Sequence, residues 1–420
     1  MRVVVVGGGV VGTTIALELA TAGIEVTLLE RDANVGGGAS RGNAGYLCPS
    51  HAAPLPSPAA LRAGLRWLFL PGSPLTIRPR PAALPWLAQF VAACTPARAE
   101  RALRYLRPLA LQSLDLHASL AARGVATGFE RRGILNLYET ERGLRSGAVE
   151  AEHAARAGVR AAVLDARDVR ALEPAIAAPV AGGVFYEDDA QCDPAAYADA
   201  VAGAARRAGA EIVTSAEAVR MERRGSRVTR VETTRGDFDA DEVVLAAGVW
   251  TRDIARTAGL ALRLEPAYGY HVDVRPAESQ PTVPVFLQEA RVTTTSFADR
   301  FRVTGMLELS GRAGRVGARR VDAIVRAAAR VFGTSAVGEI VEVWRGPRPC
   351  CPDGLPAIAR APGLDNVVVA TGHSTLGLTL APLTGVLVRE LLLREPPTAD
   401  LRPLGLQPSE RRGALAGTAA

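Results

Sequence analysis

The chain contains no lysine: all 49 basic residues among its 420 are arginine. A Schiff-base lysine, a P-loop lysine and an oxygen-activating lysine are therefore excluded whatever the fold. Cysteine is scarce too. Cys48, Cys94, Cys192, Cys350 and Cys351 show no C-x-x-C spacing and no paired-histidine pattern, which argues against a metal site and for a reducing, cytoplasmic setting. Two reduced thiols are expected at the adjacent Cys350 and Cys351, in preference to a strained disulfide. No apolar run approaches the ~20 residues of a membrane span, and the valines near the N-terminus are too few for a signal-peptide core. The net charge is +6, but arginines are interspersed with acids and form no long basic run, so no nucleic-acid partner is expected. What remains, 48% hydrophobic and 22% charged, describes a globular chain long enough for two domains.

The N-terminal stretch Met1 to Glu30 organises that chain. Val3 to Val6 suit a strand buried on both faces. They run into Gly7, Gly9 and Gly12 of a G-x-G-x-x-G turn, followed by a helix over Val10 to Ala22 and a strand over Glu25 to Glu30. Gly7 makes the tight turn, Gly9 lets a pyrophosphate approach the backbone, and Gly12 lets the helix pack on the strand. Glu30 ends the second strand about 20 residues on, where a carboxylate takes a ribose 2′-hydroxyl and disfavours a 2′-phosphate. Together these signals predict a dinucleotide site.

The glycine-rich turn Gly36 to Gly45 reads as a further cofactor contact, and Pro49 to Pro58 as a rigid connector. Helices are expected over Ala59 to Phe69, Pro81 to Ala93 and Pro96 to Arg123. In the first, Leu61, Leu65, Leu68 and Phe69 make an apolar face flanked by Arg62 and Arg66, which suits packing on the protein and also permits peripheral contact with the inner face of the cell membrane. Arg131 to Thr140 alternates like an antiparallel strand, and Gly182 to Glu187 is another strand. Asp193-Pro194 caps a helix over Ala195 to Ala208. Strands follow at Glu211 to Ser215, Ala218 to Glu222 and Arg227 to Thr234. Asp241 to Ala247 is an apolar strand ending in Ala246-Ala247-Gly248, small enough to pass tight against the same cofactor. From Pro266 to Leu309 the alternation predicts a continuous antiparallel sheet. A helix over Val321 to Phe332 and strands at Ile340 to Trp344 and Asn366 to Ala370 follow. The turn Gly372 to Gly377 opens a last helix, Leu378 to Leu393. Its N-terminus is a second cradle, placed to stabilise charge on a reduced flavin.

Six ordered stretches carry a family resemblance over essentially the whole length: GGGVVG at Gly7 to Gly12, SRGNAGYLCP at Ser40 to Pro49, PAYGYHVDV at Pro266 to Val274, RFRVTGMLELSG at Arg300 to Gly311, WRGPRPCCPDGLPAI at Trp344 to Ile358, and GHSTLGLTLAPLTG at Gly372 to Gly385. The chain resembles the FAD-dependent D-amino-acid dehydrogenases, within the amine and amino-acid oxidoreductases that include glycine, sarcosine and D-amino-acid oxidases. The resemblance implies an α/β fold in which a Rossmann-like FAD domain (1–58, 150–265 and 340–410) is interleaved with an α+β substrate domain (59–149 and 266–339), ahead of a frayed tail (411–420).

It also implies noncovalent FAD, held on its adenine side by Gly7, Gly9, Val10, Val11, Gly12, Glu30 and Arg31. Ser40, Asn43, Ala44 and Gly45 would follow the cofactor, with Val219, Ala247, Gly248 and Trp250 beside it. Gly346 and the run Gly372, His373, Ser374, Thr375, Leu376 and Gly377 would meet the flavin. His373 is expected to matter through its backbone and not as a base. Arg348 matches the arginine that holds the substrate carboxylate in relatives, Tyr270 matches a pocket tyrosine, and Tyr268 is a weaker candidate. Asp353-Gly354 reads as a turn.

The implied reaction moves a hydride from the α carbon of an amino acid, D-proline or hydroxy-D-proline among the candidates, to flavin N5. With no lysine to speed oxygen reduction, electrons are expected to pass to a quinone or another carrier. Gly377-Leu378-Thr379 replaces the Gly-Trp-Thr usual in the dehydrogenases and is closer to glycine-oxidase-like members. An oxygen-using glycine or sarcosine oxidase and a flavin-binding subunit of a larger complex are therefore the alternatives.

Overall fold

A computed structural model describes residues 1–67, 75–77, 80–277, 280–309 and 316–406. Leu68 and Phe69 of the expected apolar face, and the tail, lie outside these residues. Among those described, no helix is long and apolar enough to cross a membrane.

Two sheets carry the architecture. The first has the order Ala357–Arg360, Val367–Thr371, Glu242–Leu245, Arg2–Val6, Glu25–Leu29, Glu211–Val213, parallel except at its first edge. Its alternation is strict. Val3, Val5, Val26 and Leu28 face the helices Val10–Thr21, Pro194–Arg207 and Gly377–Leu393, whereas Val4, Val6 and Leu29 face a three-stranded antiparallel layer, Ala218–Arg224, Arg227–Thr233 and Gly236–Asp239. A strand covered on both faces has no place for polar residues, which is why the N-terminal run is valine throughout.

The second sheet runs Ile340–Cys350, Glu265–Val274, Phe301–Leu309, Val292–Ser296, Val285–Leu287, Ile134–Tyr138, Gly182–Tyr186, Ala161–Asp165, with Leu75–Ile77 joining Phe301–Leu309. It is antiparallel apart from two parallel pairs. Its outer face packs on the helix Ala318–Phe332 through Tyr270, Val272, Val303 and Ile324.

The strand from Ile340 runs on to Cys350, past the Trp344 at which it was expected to end. Pro347 and Pro349 are tolerated because this strand is the sheet edge and owes hydrogen bonds to only one neighbour. The region after Thr140 is also more structured than the sequence pattern indicates. It holds the helix Glu141–Ala155, capped by Thr140, the strand Ala161–Asp165 and the helix Ala166–Leu172, capped by Asp165. The strands 161–165, 182–186 and 340–350, which lie within the segments expected to form the cofactor domain, pair within the second sheet. A strand's sheet is set by its pairing partner, and these partners are remote in sequence.

Candidate active site

The first sheet ends in the glycine turn, and every glycine there is dictated by contact. Gly7 has φ +109°, and a Cβ on it would lie 2.6 Å from Ala247 Cα; one on Gly12 would lie 1.8 Å from Gly7 O. The helix Val10–Thr21 begins with no acid in its first turn and no side-chain cap from Gly9. Ser40 Oγ accepts one N–H, from Val10, at 3.1 Å. The positive end of the helix dipole therefore faces a cavity of about 700 Å³ that Gly7, Gly9, Val10 and Val11 line.

Glu30 lines the same cavity, its Oε2 accepting from Gly8 N–H at 2.7 Å and Oε1 from Asp32 N–H at 2.9 Å. Burial raises its pKa, and these two backbone bonds oppose that rise. Next to it the Arg31 guanidinium lies 3.6 Å from the Trp250 ring, with Val219, Ala247 and Gly248 alongside.

The strand Val367–Thr371 delivers a second turn to the same cavity. His373 to Gly377 line the cavity there, and the helix Gly377–Leu393 also starts without an acid in its first turn. Gly372 lies behind this wall: it has φ +78°, and a Cβ on it would lie 2.3 Å from Cys351 Sγ. His373 Nε2 is paired with Thr384 Oγ1 at 3.0 Å, and burial lowers its pKa to about 4, so a neutral, already bonded ring lies here. Two helix N-termini with no acid in their first turns, opening into one cavity with a carboxylate at the end of the second strand, fit FAD: anionic diphosphate at one N-terminus, the electron-rich edge of a flavin at the other.

Gly12, Gly45 and Gly346 also stand behind the wall. A Cβ on Gly45 would lie 2.6 Å from Cys192 O, and one on Gly346 1.9 Å from the Trp344 ring. Asn43 Oδ1 accepts from Gly45 N–H at 2.8 Å and so shapes the Ser40 to Gly45 loop, of which Ser40, Asn43 and Ala44 reach the cavity.

The inner face of the second sheet closes the cavity, and parity decides which residues reach it. Trp344 and Arg348 of the edge strand, Thr304, Thr293 and Phe286 point inward. Tyr270 does not. It faces outward, its hydroxyl donating to Glu308 at 2.5 Å and accepting from Arg320 and Arg345 at 2.7 and 2.9 Å. Tyr268 shares that face, 3.6 Å from the Arg345 guanidinium. The expectation that Tyr270 lines the pocket is thus corrected: with a period of two, Gly269 and His271 hold the inner positions.

Gly269 is why Arg348 fits. A Cβ there would come within 2.2 Å of Arg348 Nη1 and 2.4 Å of Cζ, so the guanidinium rests on bare backbone. Among the described residues its one hydrogen bond is from Nη1 to Met306 O, at 3.4 Å. It has no carboxylate partner among the described residues, and burial pulls its pKa below the ordinary arginine value.

Trp344 was not anticipated as a cavity residue. Its ring stacks on His271, with centroids 5.3 Å apart, and packs over Gly42 and Gly346. Behind it His271, Asp273 and Glu342 hold ligand-type atoms within 4.8 Å of one another. Arg302 already clamps both oxygens of Asp273, and Arg41 those of Glu342, leaving no uncompensated charge for a cation.

Tyr46, Cys48 and His51 were also missed. His51 Nδ1 lies 2.6 Å from Ser50 Oγ, which donates to the fully buried Asp189. The signal was available, because a Ser-His pair follows directly on the loop already assigned to the cofactor. Its carboxylate lies 139 residues from Ser50 and could not be foreseen.

The sequence profile of the FAD dependent oxidoreductase (DAO) family matches residues 2–391. A D-amino acid dehydrogenase of Cereibacter sphaeroides is 34% identical over 416 residues, spanning 97% of this chain and 95% of that one. A second, from Paramagnetospirillum magneticum, is 34% identical over 423 residues, spanning 97% and 98%. Among solved structures, glycine oxidase from Geobacillus kaustophilus superposes with a TM-score of 0.79 at 27% identity, covering 98% of this chain and all of its own. L-proline dehydrogenase from P. horikoshii shares the fold, with a TM-score of 0.74 at 20% identity over 96% of each chain. Profile, relatives and cavity agree that the chain belongs to the DAO family of FAD-dependent oxidoreductases.

Proposed function

We propose that the protein is a D-amino-acid dehydrogenase that anchors the α-carboxylate of its substrate on Arg348. The observation that carries this reading is a guanidinium in the cavity wall with no carboxylate of its own among the described residues. Its planar fork matches a carboxylate in two parallel hydrogen bonds, and its partial desolvation strengthens them. The names of the curated relatives support the D configuration.

When bound, FAD supplies the two-electron acceptor for the α hydrogen. The protein's own contribution is placement. Arg348 fixes the carboxylate, so the α carbon has one orientation against the cofactor face. The floor strands and Trp344 exclude water, and the two helix N-termini favour negative charge where they open into the cavity. Loss of the hydride and an N–H proton leaves an imine, which water hydrolyses to a 2-oxo acid and ammonia. D-Proline and hydroxy-D-proline would leave a pyrroline carboxylate instead. A quinone or another carrier is the preferred electron acceptor, because the chain has no lysine to assist oxygen reduction.

Anaerobic addition of D- and L-amino acids, glycine and sarcosine to the holoprotein tests the reading. Bleaching of the flavin by D- but not L-amino acids supports it; no bleaching by any amino acid would sink it. The similarity to glycine oxidase favours one rival, an oxidase of glycine or sarcosine. Stoichiometric hydrogen peroxide during turnover with those substrates would establish the rival instead.

A further inference from the structure

Resting on that reading, we propose that His51, oriented by Ser50 and Asp189, is the subsite for the substrate side chain, and that it selects side chains ending in an N–H or O–H donor.

The direction of the hydrogen bonds follows from what each group can offer. Asp189 is fully buried, at the turn between the strands Gly182–Tyr186 and Ala190–Gln191. A carboxylate only accepts: Oδ1 takes Ser50 N–H at 3.1 Å and Oδ2 takes the Ser50 hydroxyl proton. Ser50 Oγ has then spent its only proton, so toward His51 it is an acceptor, and Nδ1 of the ring must carry the hydrogen. In the neutral ring Nε2 is then the acceptor. It makes no hydrogen bond to any described residue and is not among the buried unpaired atoms. His51 itself lines the cavity, wedged between Tyr186 and Phe286 at ring distances of 5.7 and 5.5 Å. The two rings prevent the imidazole from swinging out of place.

Position separates this site from the reacting centre. The Arg348 guanidinium rests on Gly269, and Phe286 lies three strands farther along the sheet. At ~4.8 Å per strand the floor between them spans roughly 14 Å. The α nitrogen is two bonds from a carboxylate held by Arg348, so His51 is out of its reach. What reaches the imidazole is the far end of a side chain several bonds long. The floor between the two ends offers Thr304 and Thr293, and Thr304 Oγ1 is buried with no partner among the described residues.

Three side chains of similar length test this: D-glutamine ends in a donor, D-glutamate in acceptors only, and D-norleucine in a methyl group. Steady-state kinetics of the holoenzyme with a dye acceptor should give D-glutamine a kcat/KM at least 10-fold above D-glutamate. In His51→Leu, kcat/KM for D-glutamine should fall at least 10-fold, mainly through KM, while that for D-norleucine stays within about two-fold. Ser50→Ala, which frees the tautomer, should narrow the D-glutamine preference with flavin retained; it carries the test should His51→Leu lose flavin. Equal losses for all three substrates, a displaced pH profile with D-norleucine, or an unchanged ratio would overturn the proposal. Flavin bleaching by D-norleucine with an unchanged ratio would reject this subsite alone. Failure of every D-amino acid to bleach the flavin would reject the dehydrogenase reading and the subsite with it.

Discussion

The guanidinium of Arg348 lies flat on Gly269, so close that a single methyl group at residue 269 would overlap it. Glycine on the neighbouring strand is thus as much a part of the anion site as the arginine itself. Gly269→Ala should push the guanidinium away from Met306 O and raise KM for every amino acid without releasing FAD. Arg348→Ala should do the same more strongly, lowering kcat/KM by about 10²- to 10³-fold, the ~3–4 kcal/mol lost with a charged hydrogen-bonded partner. Steady-state kinetics beside flavin absorbance would check both. An unchanged KM in either variant removes this pair from substrate binding.

Gly12→Ala should abolish the holoprotein. The new Cβ would sit 1.8 Å from Gly7 O, so the helix Val10–Thr21 would have to lift off the strand that presents the pyrophosphate turn. Flavin content after purification measures this directly, and a fully yellow Gly12→Ala protein would contradict it.

Arg302, on a strand of the second sheet, ties that sheet to the loop Arg41 to Asn43. It clamps Asp273 at 2.8 and 2.7 Å and donates to the carbonyls of Arg41 and Asn43, both at 2.8 Å. Burial alone would raise the Asp273 pKa, but Arg302 and its neighbours bring it below the ordinary 3.8. A depressed carboxylate stabilises the fold above its unfolded value, and that stability is lost as pH falls below about 3.8. At neutral pH Asp273→Asn should cost ~3–5 kcal/mol by leaving the buried arginine uncompensated. It should also weaken FAD binding through the Arg41 to Asn43 loop. Chemical denaturation and flavin titration would test the two effects, and a neutral result in both would refute the role.

Acid should destabilise the protein through two buried histidines. Burial holds His117 and His373 at about 4, against an ordinary 6.5. The unfolded chain takes up protons near 6.5 while the folded one does not, so stability is intact above 6.5 and falls as pH drops from 6.5 to 4. Each ring accounts for ~3 kcal/mol over that interval. His117 Nε2–H donates to Leu378 O at 3.0 Å, so an added proton falls on Nδ1, which is buried with no hydrogen-bond partner among the described residues. Denaturant midpoints from pH 7 to 4.5 should decline steeply, and less so in His117→Gln. A flat profile would exclude the mechanism.

What the sequence by itself determined is local. The valine strand, the glycine turn, Glu30, the Asp193 cap and the small residues at Ala246 to Gly248 each follow a short pattern along the chain that can be read without knowing what packs against it. The cofactor half of the site was therefore legible. Tertiary structure alone decided the substrate half. Whether Tyr270 or Gly269 faces the cavity turns on one residue of strand phase, set by which strand pairs with which. The strand through Pro347 and Pro349 exists because it lies at an edge, and edge position is a property of the whole sheet. His51 owes its tautomer to a serine beside it and a carboxylate 139 residues from that serine. A single sequence records the residues that hydrogen-bond or pack at short range; register and long-range burial, which aim Arg348 and His51 into one cavity, arise only when the sheets assemble.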